Sequence, residues 1–437
     1  MISASAPLNV GAFFGGRLDE HRSVSLNASG QQANQKSEHP SLSGDGRMVA
    51  FASLADNLVP NDRNGFKDIF VRDNQTGAVH RASVSSRGTA GNGTSAEPSL
   101  SANGRWVVFS SFVCDLDGDM RPGESRIYLH DCQSGETRCL SRDVAGSCHE
   151  PVISADGSHV AFLANSRPGL PTDVYVHDVG SGRNVQVNLA HDGTRLRSLP
   201  DAPSLSADGT VVAFAAGESS CKVYLADLRH GLSAAFPIHP TGGRSPSLSA
   251  DGLRVALQAD SYTIGVGLQT DILVHDRSNG QNRSLTSSLK GNSYTPALSG
   301  DGRFVSFVSD IVGPGGRALP RQLRVANVED GSMVLLTPPG VATPPHANAP
   351  CISADGAWVA YESGAPNVQG RRVLGVEVMM TRNLASADAL QPWPSKDPWA
   401  SEPPHPGIDK PPPQVIVSDE VVIVNGVRVP RNRARGA

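Results

Sequence analysis

A twelve-residue pattern recurs seven times along this chain, and no other feature constrains its fold as strongly. The copies begin at Pro40 (Pro-Ser-Leu-Ser-Gly-Asp-Gly-Arg-Met-Val-Ala-Phe), Pro98, Pro151, Pro203, Pro246, Pro296 and Pro350, spaced 43 to 58 residues apart. Such a period means one supersecondary unit per copy, each burying its apolar faces against its neighbours. Helical repeats are excluded by composition. With 45 Gly and 32 Pro among 437 residues, long helices are ruled out, because interior Gly and Pro cost about 1 and 3 kcal/mol each.

Each column of the pattern has a physical reading. Proline followed by Ser-Leu-Ser starts a short strand whose first residue need not donate a ladder bond. The Ser is constant (Ser43, Ser101, Ser154, Ser206, Ser249, Ser299, Ser353), and so is the Gly (Gly46, Gly104, Gly157, Gly209, Gly252, Gly302, Gly356). Asp stands before that Gly in six copies, and Asn103 replaces it in the second. Ser-x-Asp-Gly is a hairpin connection, with the carboxylate or amide bonding local N–H groups and the Gly taking a positive φ. A second strand follows with a constant Val and, two residues on, a ring or Leu (Phe51, Phe109, Phe162, Phe214, Leu257, Phe307, Tyr361). Period two puts Val and ring on one face, and the Ala that usually lies between them suits a second buried face.

A further signature follows in most copies: Asp68-Ile-Phe-Val-Arg-Asp73, Arg126-Ile-Tyr-Leu-His-Asp131, Asp173-Val-Tyr-Val-His-Asp178, Lys222-Val-Tyr-Leu-Ala-Asp227 and Asp271-Ile-Leu-Val-His-Asp276. A weaker version, Leu323-Arg-Val-Ala-Asn327, stands in the sixth. Each closes on a turn Gly and leads into a fourth strand, as at 79–85 and 283–286. The expected fold is all-β: a seven-bladed β-propeller of four-stranded antiparallel blades over residues 20–384. In the seventh repeat the third strand is expected at 373–380, with no fourth strand after it. His21-Arg-Ser-Val-Ser25 is similar to His80-Arg-Ala-Ser-Val-Ser85, so residues 20–27 are expected to supply that strand and remove an open edge.

The motif Pro-Ser-Leu-Ser-x-Asp-Gly-x-x-Val-Ala-Phe, with Asp-Ile-Phe-Val-x-Asp, resembles the bacterial TolB-type, WD40-like PD40 propeller repeat over about residues 20–385. The resemblance implies a propeller. It spans relatives as different as protein-binding propellers, propeller domains of prolyl-oligopeptidase-like enzymes and some polysaccharide lyases, so it implies fold far more firmly than activity.

Around the propeller, an N-terminal extension covers 1–19, a Pro-rich linker 385–414, a β-hairpin 415–430 and a basic tail 431–437. Asn425-Gly426 between alternating β-branched residues is a strong hairpin signal. An isolated hairpin is marginal alone, so this one is expected to dock on the propeller or on a partner. The linker is read first as an extended spacer, with Pro403-Pro-His-Pro406 leaving open a ligand for an aromatic groove.

Lys plus Arg is 38 against 42 Asp plus Glu, a net charge of −4. That provides no general field for nucleic acid, and none is expected to bind the propeller. No apolar run approaches the length of a membrane span. Residues 1–16 lack the basic start of a signal peptide, which points to a cytoplasmic protein or to export by another route. Six Cys form no C-x-x-C pair, and zinc is not expected. Cys132 and Cys139 are candidates to face one another across a hairpin, with free thiols expected over a disulfide.

No Gly-x-Ser-x-Gly, P-loop or His-Glu-x-x-His occurs. His130, His177 and His275 share one column in the outer half of three blades; they cannot converge on one metal and are read as surface residues. The column before the motif Pro, at the start of the innermost strands, holds His39, Glu97, Glu150, Ala202, Ser245, Thr295 and Ala349. Innermost strands meet at the central channel. His39, Glu97 and Glu150, with Glu38 and His149 beside them, are therefore the candidate site at its mouth, for a partner's basic group or a cation. A polar rim solvated by channel water is the plainer reading. Asp62, Asn64 and Asp68 in the blade-one insertion partly match a Ca²⁺ loop, and Asp115, Asp117 and Asp119 offer a second acidic turn; both are read first as polar turns.

The leading expectation is a non-enzymatic protein-interaction platform presenting loops and channel mouth, with the tail as a second contact. One alternative is a metal-dependent carbohydrate-active enzyme using the mouth. Another is an exported surface or effector protein, suggested by the polar segment 27–37.

Overall fold

The computed structural model describes residues 21–112, 116–117, 123–165, 172–190, 192–197, 201–217, 221–229, 236–237, 242–263, 267–289, 291–312, 318–337, 350–364 and 376–383. It also describes three C-terminal strands at 415–417, 421–424 and 427–430. The described residues form seven four-stranded antiparallel sheets and one three-stranded sheet. Blade one is Ser37–Leu42, Met48–Ser53, Asp68–Asp73 and Val79–Arg81, from the innermost strand outward. Blades two to six repeat this order.

Blade seven is assembled from both ends of the ring. Its first three strands are Cys351–Ile352, Trp358–Ser363 and Glu377–Arg382, and its outer strand is Arg22–Ser23. Arg22 pairs with Met380 and Ser23 with Met379. The third strand, expected at 373–380, instead extends to Arg382 because Trp358 and Val359 pair with Arg382 and Thr381; residues 373–375 lie outside those described.

The seven turns behave alike. In blade one Ser43 Oγ donates to Asp45 Oδ1 at 2.6 Å and accepts the Met48 N–H at 2.9 Å, while Asp45 accepts the Arg47 N–H at 2.9 Å. Gly46 has φ 70°. Asn103 does the same work in blade two, with 2.6 and 2.9 Å bonds from Ser101 Oγ and the Arg105 N–H. In blades one to four rings face across the blade: Phe51 stacks on Phe70 at 6.0 Å and Phe162 on Tyr175 at 5.8 Å. Ala50, Ala161, Ala213, Ala256 and Ala360 are fully buried on the opposite face.

Adjacent blades are joined by backbone at the residue between the turn Ser and Asp. Ala102 donates to Ala155 O, Ala207 to Ala250 O, Ala250 to Gly300 O, Ala354 to Gly44 O and Gly44 to Ala102 O, at 2.8–2.9 Å. The amides of Asp156 and Asp301 complete the circle to Ala207 and Ala354. This column holds only Gly or Ala because the turns crowd together: a Cβ on Gly44 would lie 3.2 Å from the Ala102 Cβ. A closed belt of amides thus surrounds the axis at one end.

The C-terminal sheet has three strands where a two-stranded hairpin is expected. Val421–Val424 pairs with Val427–Pro430 across the Asn-Gly pair, and Val415–Val417 adds to the other side of Val421–Val424. The Pro-rich linker and basic tail lie outside the described residues.

Candidate site at the channel mouth

The column before the motif Pro is where the backbone is strained. His39, Glu97, Glu150, Ser245 and Thr295 all have positive φ, between 49° and 57°. For residues with a Cβ this conformation costs about 1–2 kcal/mol each. It coincides with a bulge: register shifts between Glu38 and Ser41, Ala96 and Ser99, His149 and Val152, Arg244 and Ser247, and Tyr294 and Ala297. The following Pro supplies no ladder donor, and the residue before it is disfavoured in the right-handed helical region. Bulges of this kind re-aim side chains out of the ladder. Here they lie at the starts of the innermost strands, opposite the amide belt.

What holds the strained residues is the preceding blade. Glu150 N–H donates to Glu97 Oε2 at 2.7 Å, and His39 N–H donates to Glu362 Oε1 at 2.8 Å. Ser245 and Thr295 donate to Asp201 Oδ2 and Gln258 Oε1, both at 3.3 Å. Glu97 Oε2 also accepts from Ser110 Oγ at 2.8 Å. Each acceptor pins a backbone amide one blade further round the channel.

The structure brings Glu97, His149 and Glu150 together and adds Asp201. Burial, then the charges of Glu97 and Asp201, pushes the Glu150 carboxyl up to about 7. Burial lowers the His149 value, and the Glu97 charge opposes that change. Glu97, Glu150 and Asp201 form no ion pair among the described residues. The contrast is Glu38, buried and paired with both Lys36 and Lys67. His39 turns toward Glu38, with 3.9 Å between Nδ1 and Oε1, and toward Glu362 through its amide. The cluster is therefore a sector over blades two to four, with His39 in a separate arrangement at blades seven and one.

Asp201 is one residue ahead of the column, whose blade-four member is Ala202, and so escapes a column-by-column reading. Ser110, Gln258 and Glu362 follow the ring of the second strand. Their signal is a polar residue in a column otherwise occupied by Ala52, Leu163, Ala215 and Val308.

The other candidates go elsewhere. Arg81 Nη1 lies 2.9 Å from Asp62 Oδ1 and 3.2 Å from Asp68 Oδ2, and Asn64 donates to Asp68 Oδ2 at 2.8 Å. The cation between these carboxylates is a guanidinium. Asp117 accepts from the Cys139 amide at 2.6 Å and pairs with Arg142 at 2.8 Å; Asp115 and Asp119 lie outside the described residues. Among the described residues no group of three or more His, Cys, Asp or Glu side chains is placed to hold a metal ion.

Two expectations are corrected. His130, His177 and His275 are buried, not on the surface. The hairpin from third to fourth strand sets each opposite the residue seven positions on. Their Nδ1 atoms meet Thr137 Oγ1 at 2.8 Å, Asn184 Oδ1 at 3.0 Å and Asn282 Oδ1 at 2.9 Å. Cys132 and Cys139 do not face one another, because the register places Cys139 opposite Tyr128. Both are free thiols packed on the core between blades one and two, and burial raises the Cys132 value.

No protein-family model matches this chain, and no curated protein matches it in sequence. Among solved structures, the β-propeller domain of the Trilobed protease from Pyrococcus furiosus aligns with a TM-score of 0.52 at 12% identity, covering 80% of this chain and 94% of that one. TolB from Acinetobacter baumannii aligns with a TM-score of 0.40 at 16% identity, covering 73% of this chain and 76% of that one. The Pyrococcus furiosus domain has an open velcro topology, whereas here Arg22–Ser23 closes the seventh blade. At such identity a likeness carries architecture alone: this chain is a seven-bladed β-propeller.

Proposed function

We propose that the protein is a non-enzymatic interaction platform whose acidic sector at the channel mouth receives a cationic group of a protein partner. The observation that carries this reading is the set of three half-buried carboxylates, Glu97, Glu150 and Asp201, on consecutive blades without a Lys or Arg ion pair among the described residues. The charges of Glu97 and Asp201 add to burial in raising the proton affinity of Glu150, and a cation entering the cluster relieves that cost. Phe66 and Phe112, 40% and 55% exposed, stand on loops at the same end. A charged anchor beside exposed rings is the composition of a recognition surface. The C-terminal sheet, with its β-branched strands, is a second contact in this reading.

The test compares partner recovery by three baits: the full chain, Glu97→Gln/Glu150→Gln/Asp201→Asn, and a chain lacking residues 385–437. Partners held by the mouth are expected to be lost from the neutralised bait and to dissociate from the full chain as salt rises. Equal recovery by the full and neutralised baits would remove the mouth from the function. Equal recovery by the shortened chain would remove the tail.

A further inference from the structure

The outer half of blades one, three and five has a polar position where the third strand begins and the fourth ends. In blade one Ser83 Oγ donates to Asp68 Oδ1 at 2.5 Å and accepts the Ile69 N–H at 3.0 Å, and Arg81 neutralises the same carboxylate. In blade three Asn188 Nδ2 donates to Asp173 Oδ1 at 3.2 Å, and Arg195 pairs with that carboxylate. In blade five Thr286 donates to Asp271 Oδ1 at 2.7 Å.

Blade seven reaches this position with residues from opposite ends of the ring. The pairing of Arg22 with Met380 and Ser23 with Met379 continues through the 2.9 Å bond from Val24 N–H to Val378 O. That register sets Ser25 opposite Glu377, as Ser83 is opposite Asp68. Glu377 is 2% exposed and Ser25 is fully buried, yet Glu377 Oε1, Ser25 Oγ and Ser23 Oγ make no hydrogen bond. Where blade one carries Arg81, the closing strand carries Ser23. The carboxyl that joins the two ends of the propeller thus has no described counter-charge.

We infer that Glu377 is a pH-sensitive latch on ring closure: protonated, it sits neutral in the seam, and ionised, it loosens the pairing of Arg22–Ser23 with Glu377–Arg382. Its surroundings support this. On the closing strand, His21 Nδ1 is 3.0 Å from the Tyr361 hydroxyl of the second strand, and burial lowers the His21 value. Arg22 of that strand and Arg382 of the third both stack on Trp358, on the other face. Blade six packs Phe304, Leu323, Val325 and Leu336 against Tyr361 and Met379. Toward blade one, Glu362 holds the His39 amide, and Glu38 is paired with Lys36 and Lys67. Burial alone pushes the Glu377 carboxyl up to about 7.

A folded value raised above 4.5 gives stability that is full below pH 4.5 and lost as pH rises through about 7. His21 titrates in the opposite sense, and Glu150 in the same one, so the reading is a difference. Urea unfolding of the full chain and of Glu377→Gln is compared from pH 5 to pH 8. The two are expected to differ by only a few-fold at pH 5 and to diverge with rising pH, the variant reaching on the order of a hundredfold more favourable folding equilibrium at pH 8. A gap constant with pH would overturn the proposal. Should Glu377→Gln fail to fold, hydrogen exchange of the unaltered chain gives a second reading. With intrinsic rates corrected, Val24 is expected to lose protection between pH 6 and pH 8 relative to Val187, its counterpart in blade three. Equal changes at the two amides would overturn the latch.

Discussion

A Cβ on Gly46 would stand 2.7 Å from Cδ1 and Cγ of Trp358, so the turn of the first repeat is seated on the second strand of the seventh. The same relation recurs around the ring: Gly104 on Met48, Gly157 on Trp106, Gly209 on His159 and Gly356 on Phe304. The constant Gly therefore has two causes, its positive φ and the neighbouring blade lying against its α-carbon.

Separating those causes needs two substitutions. Gly77, in the turn after the third strand, has φ 79° but nothing closer than 3.6 Å to an added Cβ. Gly77→Ala is expected to cost about 1 kcal/mol from backbone strain. Gly46→Ala adds an overlap with a buried indole and is expected to cost about 3 kcal/mol or more. Equal losses in urea unfolding would show that blade contact contributes nothing to the constancy of the Gly.

Asn103 predicts which turn substitutions are tolerated. It reproduces the bonds that Asp makes elsewhere, so Asp208→Asn is expected to cost under about 1 kcal/mol. Ser206 is 2% exposed, donates to Asp208 at 2.6 Å and accepts the Val211 N–H at 2.9 Å. Ser206→Ala leaves that buried amide without its hydroxyl acceptor and is expected to cost about 1–3 kcal/mol. Equilibrium denaturation ranks the two, and the reverse order contradicts the turn mechanism.

At the channel mouth the prediction is a proton affinity. Glu150 is raised from 4.5 to about 7 by burial, then by Glu97 and Asp201. Its contribution to stability is therefore complete below pH 4.5 and falls away as pH rises through 7. Glu97→Gln removes one of the two charges, and the Glu150 midpoint, followed by carboxyl carbon NMR, is expected to move down. A midpoint unmoved by the substitution would mean that the two side chains do not interact.

Arg81 stands between two nearly inaccessible carboxylates. Arg81→Ala leaves Asp62 and Asp68 facing each other, with an expected loss of about 3–5 kcal/mol. Burial already raises the Asp62 value against the pull of Arg81, so the loss is expected to be larger at pH 8 than at pH 5. Millimolar calcium is expected to leave the thermal midpoint of the unsubstituted chain unchanged, because the guanidinium occupies the position a divalent ion would take. A calcium-dependent rise would contradict that assignment.

The mouth column was readable in the sequence as a set of positions but not as a cluster. His39, Glu97 and Glu150 share a repeat position, yet only the latter two share a charge environment, and their third member, Asp201, sits one place off the pattern. The spacing of Asp62, Asn64 and Asp68 did not show the counter-ion of the two carboxylates for a related reason: Arg81 arrives from the next strand. The buried histidines show the same limit. An imidazole at a strand end looks solvent-facing until the residue seven positions on is seen to cover it.

Strand count, blade count and turn chemistry were set by the chain itself, since each depends on residues within about a dozen positions of one another. The need for a closing strand was legible too, because one repeat lacks a fourth element and another end of the chain resembles it. Which partners those elements bring together was decided only by the ring. Closure puts Ser25 opposite Glu377, more than three hundred residues away, and sets Gly46 on Trp358. It also gathers acids from three blades at one mouth. Local periodicity carries no information about a circle's circumference, and burial, charge coupling and missing counter-charges exist only once that circle is closed.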